Sequence, residues 1–535
     1  MKFPTQGIKS VAKKFLSIAL PVFSTLFLVG TTAVILVIVN GYSIDISKKQ
    51  LIKTGVLNIE TNPSDASINI NGQYSGNTNR AIPNLTTGDY SISLTKEGYY
   101  TYNRNVEVKH GLATIIVAPL IKQTGAEAVA AIGTDEISFS NESGLYLLAS
   151  ADASTSAVVV TGTATPKPTT PAEKSYTLTK FTVTKNFFDP PKPSALEKVT
   201  LTLEAGLTIS SYSVSPTGKS VLIVMQNAKG QKTTAIISFK NGDTIKVSQF
   251  LTQPLDSYID EKDTKVTWAK NADYIVVETS SQVITFNIKT ATRIILFDKP
   301  ISSKTFVWNT TDTGVVIVKN EQEDSLEYDV EQISFNGNAI ESVIQKASLP
   351  EKPLNIWANT TDNKTVIVVS AEKGTYLFGN FYDNRVGEYE VTSSSTKIDN
   401  RDIQSLGKNL VLIKIHDAKV TQVQFVTSRF MISYTDNQAK NLYTYTYNKR
   451  AAEHYVTLGE KTLISNNETE LRSQKWIFSA NYLIFESNRN LWAIDYTGTN
   501  LYQLQEGVNI PTFFLEDSTL LYKGDDSKIY FKTMR

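Results

Sequence analysis

Two hydropathy patterns divide this chain. From Phe15 to Val39 the run FLSIALPVFSTLFLVGTTAVILVIV carries no charged residue. At about 1.5 Å per residue, roughly 20 helical residues cross a ~30 Å hydrocarbon core, so this run predicts a single membrane-spanning helix. We assign it to 15–41, with Pro21 where the first turns tolerate it or where a kink is absorbed by the bilayer, and with a basic tail over 1–14. Beyond it, apolar and polar residues alternate in short runs separated by Gly, Asn, Asp and Pro. That period of two predicts strand after strand, an all-β soluble region.

The first soluble domain falls at 55–121. Val56, Asn58 and Glu60 alternate with Leu57 and Ile59, and Ser67-Ile-Asn-Ile70 runs into Asn71-Gly72. That dipeptide is a strong hairpin signal, because both positions accept positive φ. Further strands are predicted at 90–94, 105–108 and 113–117, with Gly88-Asp89 and Lys109-His110-Gly111 as turns. A small β-sandwich follows from this spacing.

The same stretch resembles the PEGA domain, a family of small bacterial β-sandwiches of surface and envelope proteins. The matching elements come in order: Gly55–Ile59, Asn62-Pro-Ser-Asp-Ala66, Ile68-Asn-Ile-Asn-Gly72, Gly76-x-Thr78, Leu85-x-x-Gly88-x-Tyr90 and Lys96-x-Gly98-Tyr99. Asp65 stands where the family usually has glycine, and Asn79 where a proline usually follows the threonine. Both positions are turns, and Asp and Asn tolerate left-handed backbone there. The resemblance implies a structural or adhesive module, which the short segment Ile44–Thr54 would hold close to the bilayer.

Residues 130–535 carry a repeated unit: a strand, a tight polar turn, a strongly apolar strand, then one or two more. It is clearest from Ser211, Val266 and Trp476 and weaker from Ile137, Val307, Asn355, Gln422 and Phe513. The spacing is roughly 40 to 70 residues, near the ~40–50 of a propeller blade, and a blade must stack on neighbours to bury both faces. The units resemble the TolB-like or WD40-like propeller repeat, with Ser215-Pro-Thr-Gly218 the best-kept turn. A β-propeller of seven or eight blades is expected. The Ser/Thr/Pro-rich stretch 150–175 is too polar for a ladder strand and reads as a disordered loop inside the first blade, with an interdomain linker as the alternative.

The apolar run exceeds the ~7–15 residues of a signal-peptide core, and Asn40-Gly-Tyr-Ser43 is a poor cleavage site, so a retained anchor is expected. Lys2, Lys9, Lys13 and Lys14 before the run slightly outweigh Lys48, Lys49 and Lys53 after it, which favours a cytoplasmic N-terminus and an extracytoplasmic body. The expected localisation is therefore a single-pass position in the cell membrane, with Phe15–Val39 contacting the lipid bilayer.

Candidate chemistry changes this picture little. Lys plus Arg number 53 against Asp plus Glu 52, which removes the electrostatic footprint of a nucleic-acid binder. The chain contains no cysteine, so disulfides and thiolate metal sites are excluded. Three histidines, His110, His416 and His454, lack metal-ligand spacing, and His416-Asp417 would point to opposite faces of a strand. The sequence holds no nucleophile elbow, P-loop or dinucleotide fingerprint. A glycosidase pair needs two carboxylates ~5–9.5 Å apart, and nothing singles out two. The acidic clusters Glu321–Asp324 and Asp525-Asp526 read as solvated turns. Tyr443, Tyr445 and Tyr447 share a strand face, and Trp268, Trp308, Trp357, Trp476 and Trp492 are spread over the repeats. Blade-to-blade packing is the first reading of these aromatics, a stacking platform the second.

No catalytic, cofactor-binding or metal residue is assigned, and no cofactor is expected. The expected function is non-catalytic: an envelope or surface binding or scaffold protein presenting its propeller to a protein or glycan. The alternative is a cell-surface hydrolase or lyase acting on glycan or peptide within the propeller channel. A sensor acting across the membrane, and an inverted topology with a cytoplasmic body, are further readings.

Overall fold

The computed structural model describes residues 6–45, 50–131, 137–150, 173–184, 192–246, 265–298, 306–447 and 461–534, apart from short stretches within those ranges. The chain divides into two compact units, with the boundary after Leu120.

In the first unit a helix runs from Gln6 to Val39, and its segment Leu20–Val37 is long and apolar enough to cross a membrane. Hydroxyls inside this apolar run are satisfied by the helix itself. Thr25 donates to the Pro21 carbonyl at 2.8 Å and Thr32 to that of Leu28 at 2.8 Å. Such internal bonding is what makes a polar side chain tolerable in hydrocarbon.

The helix leads into a two-sheet sandwich. One sheet contains Tyr42–Asp45, Gln50–Asn62 and Arg80–Thr86, with Ala113–Pro119 pairing in parallel with Gln50–Asn62. The other contains Gln73–Asn77, Ser67–Ile70, Gly88–Thr95 and Tyr102–Val108 in that order. Leu57, Ile59, Ile68, Ile92, Leu94, Val106 and Ile116 are buried, the alternate residues of their strands. Asn71 and Gly72 have φ of 49° and 80°, as the hairpin signal requires, and Asp65 has φ of 65°. The segment Ile44–Thr54 corrects the sequence reading. Its described residues, Ile44-Asp45 and Gln50–Thr54, are not a plain connection but lie in paired strands continuous with the sandwich, Tyr42 opposite Lys53 and Asp45 opposite Gln50.

In the second unit, eight successive sheets of three or more strands, antiparallel between chain neighbours, are found among the described residues, besides the two-stranded pair Arg385–Val386 and Tyr389–Glu390. We number them blades 1 to 8 and their strands in chain order. Blade 1 holds Ile137–Asn141, Gly144–Ser150, Lys174–Thr184 and Lys192–Leu203. Blade 2 is Leu207–Val214, Ser220–Asn227 and Lys232–Ser238. Blade 3 starts at Lys265, blade 4 at Phe306, blade 5 at Asn355, blade 6 at Val420 and blade 7 at Arg472. Blade 8 takes Val508–Glu516, Thr519–Gly524 and Lys528–Thr533, and its fourth strand, Glu127–Ala131, comes from the start of the unit.

Each neighbouring pair is joined. Leu148, Leu201, Val221 and Ile237 share a core across blades 1 and 2, and Leu222, Trp268 and Ile275 across blades 2 and 3. The series continues through Val276 with Ile317, Val318 with Ile367, Val368 with Ile432, and Leu442 with Leu483. The Lys532 ammonium donates to the Leu504 carbonyl at 2.7 Å between blades 8 and 7. Leu145 and Leu147 of blade 1 pack with Leu521 and Ile529 of blade 8. The ring is closed, an eight-bladed β-propeller, and closure buries the two apolar blade faces an open stack would leave exposed.

Two blades depart from the repeat. Thr244–Lys246, after the third strand of blade 2, pairs in parallel with the last strand of blade 1. Blade 5 passes from Thr375–Gly379 to Leu410–His416 and adds Arg401–Gly407 and Thr396–Ile398 outside it. Gly144–Ser150 pairs directly with Lys174–Thr184, so the Pro-rich stretch enters and leaves blade 1. Residues 151–172 themselves lie outside the described residues.

Candidate functional site

Antiparallel strands place the turn between a blade's second and third strands on the same face as its link to the next blade. On blades 5 to 8 this face carries alternating charges. Glu351, in the link into blade 5, accepts hydrogen bonds from the Lys373 amide at 2.8 Å and the Tyr376 hydroxyl at 3.0 Å. Lys419 stands 3.6 Å from Glu372, and Lys414 3.2 Å from Asp417. Asp436 receives the Lys440 amide at 2.9 Å and the Asn441 amide group at 2.6 Å. Arg472 pairs with Glu470 at 3.0 Å, Arg489 with Asp525, and Lys528 with Asp526 at 2.9 Å.

These contacts shift ionisation in consistent directions. Burial, and then the hydrogen bond to Glu351, pushes Tyr376 up to about 12. The Lys414 ammonium lowers Asp417. Lys528, and then the Tyr530 hydroxyl, lowers Asp526. Glu486 points the other way. Its residue is only 4% exposed, one carboxylate oxygen accepts the Arg489 amide at 2.8 Å, and Oε2 is buried without a hydrogen-bond partner, so burial raises its pKa. These are the shifts of ion pairs on a surface, with one carboxyl beneath it.

The opposite face, formed by first-to-second and third-to-fourth turns, binds itself. Arg429 is buried with its guanidinium 3.8 Å above the Tyr496 ring and its Nε donating to the Ala480 carbonyl at 2.8 Å. Asp495 holds its own turn by accepting the Thr499 amide at 2.8 Å and the Asn500 amide at 3.1 Å. Asn287 does the same for blade 3, from the Lys289 amide at 2.9 Å.

The sequence's first suspects divide between these settings. His110 packs edge-on against Tyr42 with ring centroids 4.5 Å apart. His416 ends a strand between Tyr434 and Tyr443, at 5.5 and 4.9 Å, and its pKa is lowered by burial and then by Lys461. Its neighbour Asp417 turns to Lys414 instead. His454 and Glu321–Asp324 lie outside the described residues. Asp525 and Asp526 pair with Arg489 and Lys528. No group of three or more His, Asp or Glu arranged to hold a metal occurs among the described residues.

The aromatics are inter-blade ties. Tyr445 and Tyr447 are buried, with Tyr443 partly so, in the core shared by blades 5 and 6. The indole N–H of Trp268 donates back to the Ser213 carbonyl at 3.2 Å, that of Trp308 to Glu278, and that of Trp476 to the Ser433 hydroxyl at 2.8 Å. Each links the first strand of one blade to the blade before it. Trp357 packs into the blade 5–6 core and Trp492 beside the blade 6–7 core. Sequence reasoning missed the charged turn face: Lys414–Asp417, Arg472–Glu470 and Lys528–Asp526 are local pairs that read as ordinary solvated turns, and only the fold brings these turns to one face and sets Arg489 of blade 7 against Asp525 of blade 8.

With this geometry in place, the chain can be set beside known proteins. Residues 54–123 match the PEGA domain. No curated protein matches the chain in sequence. Among solved structures, the β-propeller domain of Cps50 (Swd1) from Myceliophteria thermophila is 11% identical, covering 61% of this chain and 96% of its own, with a TM-score of 0.33. A eukaryotic initiation factor is 10% identical, over 72% of this chain and 92% of its own, at a TM-score of 0.36. Prolyl oligopeptidase B from Galerina marginata is 9% identical over 66% of this chain, which spans about half of that enzyme (54%), at 0.35. Likenesses of this size say nothing of activity, and the propeller stands on its own closed sequence of sheets.

Proposed function

We propose that this chain is a membrane-anchored, non-catalytic binding scaffold whose charged turn face on blades 5 to 8 recognises a protein or an envelope glycan. In this reading the apolar helix is a retained anchor, the N-terminus is cytoplasmic, and the PEGA domain and propeller stand outside the membrane. The observation that carries it is the row of exposed or half-exposed pairs from Lys414–Asp417 to Lys528–Asp526. A surface ion pair contributes about 0–1 kcal/mol, so a partner's charges replace it at little cost to the fold. A rigid ring holds the pairs in fixed relative positions, which supplies specificity.

Protease treatment of intact cells tests the topology. Digestion of the body to a small membrane-protected fragment ending just past Val39 is expected, whereas protection until lysis would overturn the extracytoplasmic placement. Capture of envelope glycan fractions and secreted proteins by the full chain in detergent tests the face. Lys373→Glu with Lys419→Glu is expected to abolish capture, and undiminished capture would overturn the assignment to this face.

A further inference from the structure

The junction between helix and PEGA domain leaves no room for a tether. Asn40 closes the helix, its side-chain amide donating to the Leu36 carbonyl at 2.7 Å. Gly41 then turns the chain with φ of 75°, and the next residue already begins a strand. The Gly41 carbonyl accepts both the amide of Thr54 at 2.7 Å and its hydroxyl at 3.0 Å, while the Gly111 amide donates to the Thr54 carbonyl at 2.9 Å. A Cβ placed on Gly41 would stand 2.6 Å from the Gly111 Cα, so the two backbones are in direct contact. The turn Lys109–Leu112 is therefore fixed beside the residue that follows the apolar helix.

Its composition suits that position. Leu112 is 43% exposed on the turn, and Val39 at the helix end is 75% exposed. Tyr42, three residues past Val39, packs its ring against His110 of the same turn. An exposed apolar side chain, a lysine and an amphipathic tyrosine ring gathered beside the Gly41–Gly111 contact are groups that partition into the headgroup zone of a bilayer.

We propose that the Lys109–Leu112 turn lies in the headgroup region of the bilayer with Leu112 inserted among the lipids, so that the PEGA domain is seated on the membrane surface. This rests on the reading of the helix as a retained anchor. The occupant is lipid because the turn is held by backbone contact against Gly41, two residues past the end of the apolar helix, so an anchored helix brings it to the bilayer surface. The strand Gly88–Thr95 leads away from this end, where Gly88 pairs with Val108. At about 3.3 Å per residue it carries the Lys96-Glu97 turn roughly 25 Å along the sandwich.

Because the chain has no cysteine, a single label reports one position. Leu112→Cys and Glu97→Cys, each made in the full chain, carry an environment-sensitive fluorophore after reconstitution into phosphatidylcholine/phosphatidylglycerol vesicles. At 112 we expect blue-shifted emission, several-fold weaker quenching by aqueous iodide than at 97, and quenching by lipids spin-labelled near the headgroup. Iodide quenching equal to that at 97, in chains that float with the vesicles, would overturn the proposal and leave the anchor standing. Protection from iodide without quenching by spin-labelled lipid would also overturn it, since protein rather than lipid would then cover the turn. Chains that fail to float would overturn both the anchor and the seating.

Discussion

Trp308 shows how a single side chain serves two blades: its ring fills the blade 3–4 core and its N–H reaches Glu278 on blade 3. Trp308→Phe keeps most of the apolar contact but deprives a half-buried carboxylate of its donor, a loss of about 1–3 kcal/mol. Trp476→Phe leaves only the rotatable Ser433 hydroxyl behind and is expected to cost about 1 kcal/mol. Urea midpoints of the two variants check the order, and a larger loss for Trp476→Phe would refute it. Glu486 offers the reverse case. Burial raises its pKa above the ordinary 4.5, so ionisation in the folded state is penalised as pH rises through that raised value. Glu486→Gln should therefore raise the melting temperature at pH 8 and leave it unchanged below pH about 4, where both states of the native residue are protonated. At this scale the sequence was informative about residue type but not about partner. Composition marked the tryptophans as packing residues, whereas Ser213, Glu278 and Ser433 lie 55, 30 and 43 positions away.

Hairpins are the most legible elements, because a strongly apolar second strand such as Gly314–Lys319 or Tyr482–Ser487 is bounded by a polar turn that punctuates it locally. All eight predicted first hairpins coincide with blades among the described residues. Elements that depend on distant pairing escaped. Gln50–Thr54 is too polar to read as core yet is strand, because it extends the ladder of Val56–Asn62 and pairs with Tyr42–Asp45. The fourth strand of blade 8, Glu127–Ala131, belongs to a sheet whose other strands begin at Val508. Replacing 127–131 by a Gly-Ser stretch of equal length removes that strand and opens the blade 1–8 junction. Urea unfolding should then start at lower denaturant and lose its single sharp transition, whereas an unchanged curve would show closure to be dispensable. Gly314 tests packing within a blade, since a Cβ there would fall 1.8 Å from the Ile333 carbonyl oxygen. Gly314→Ala must separate two central strands, an overpacking cost of about 1–3 kcal/mol or more, read as a lowered urea midpoint.

The molecule as a whole is nearly neutral, 53 basic against 52 acidic residues, so long-range fields neither steer ligands nor strain the ring. What remains is local, and it predicts acid behaviour in two stages. His416 is held below its ordinary 6.5 by burial and by Lys461, with Lys414 adding to this and Asp417 and Asp436 opposing it. The unfolded chain thus takes up this proton first, and stability falls as pH drops below about 6.5. Asp417 and Asp526 are held below 3.8 by Lys414 and Lys528, so their contribution is present above that value and is lost only in stronger acid. Both stages belong to the same charged face, and each group is at least partly exposed, so solvent screening keeps each step small. Urea midpoints at pH 8, 5.5 and 3 separate them. In His416→Gln the fall from pH 8 to 5.5 should shrink while the fall from 5.5 to 3 persists. A variant that reproduces the native profile at both stages would mean that His416 takes up its proton equally in the folded and unfolded chains, and burial between Tyr434 and Tyr443 would not be what sets its charge.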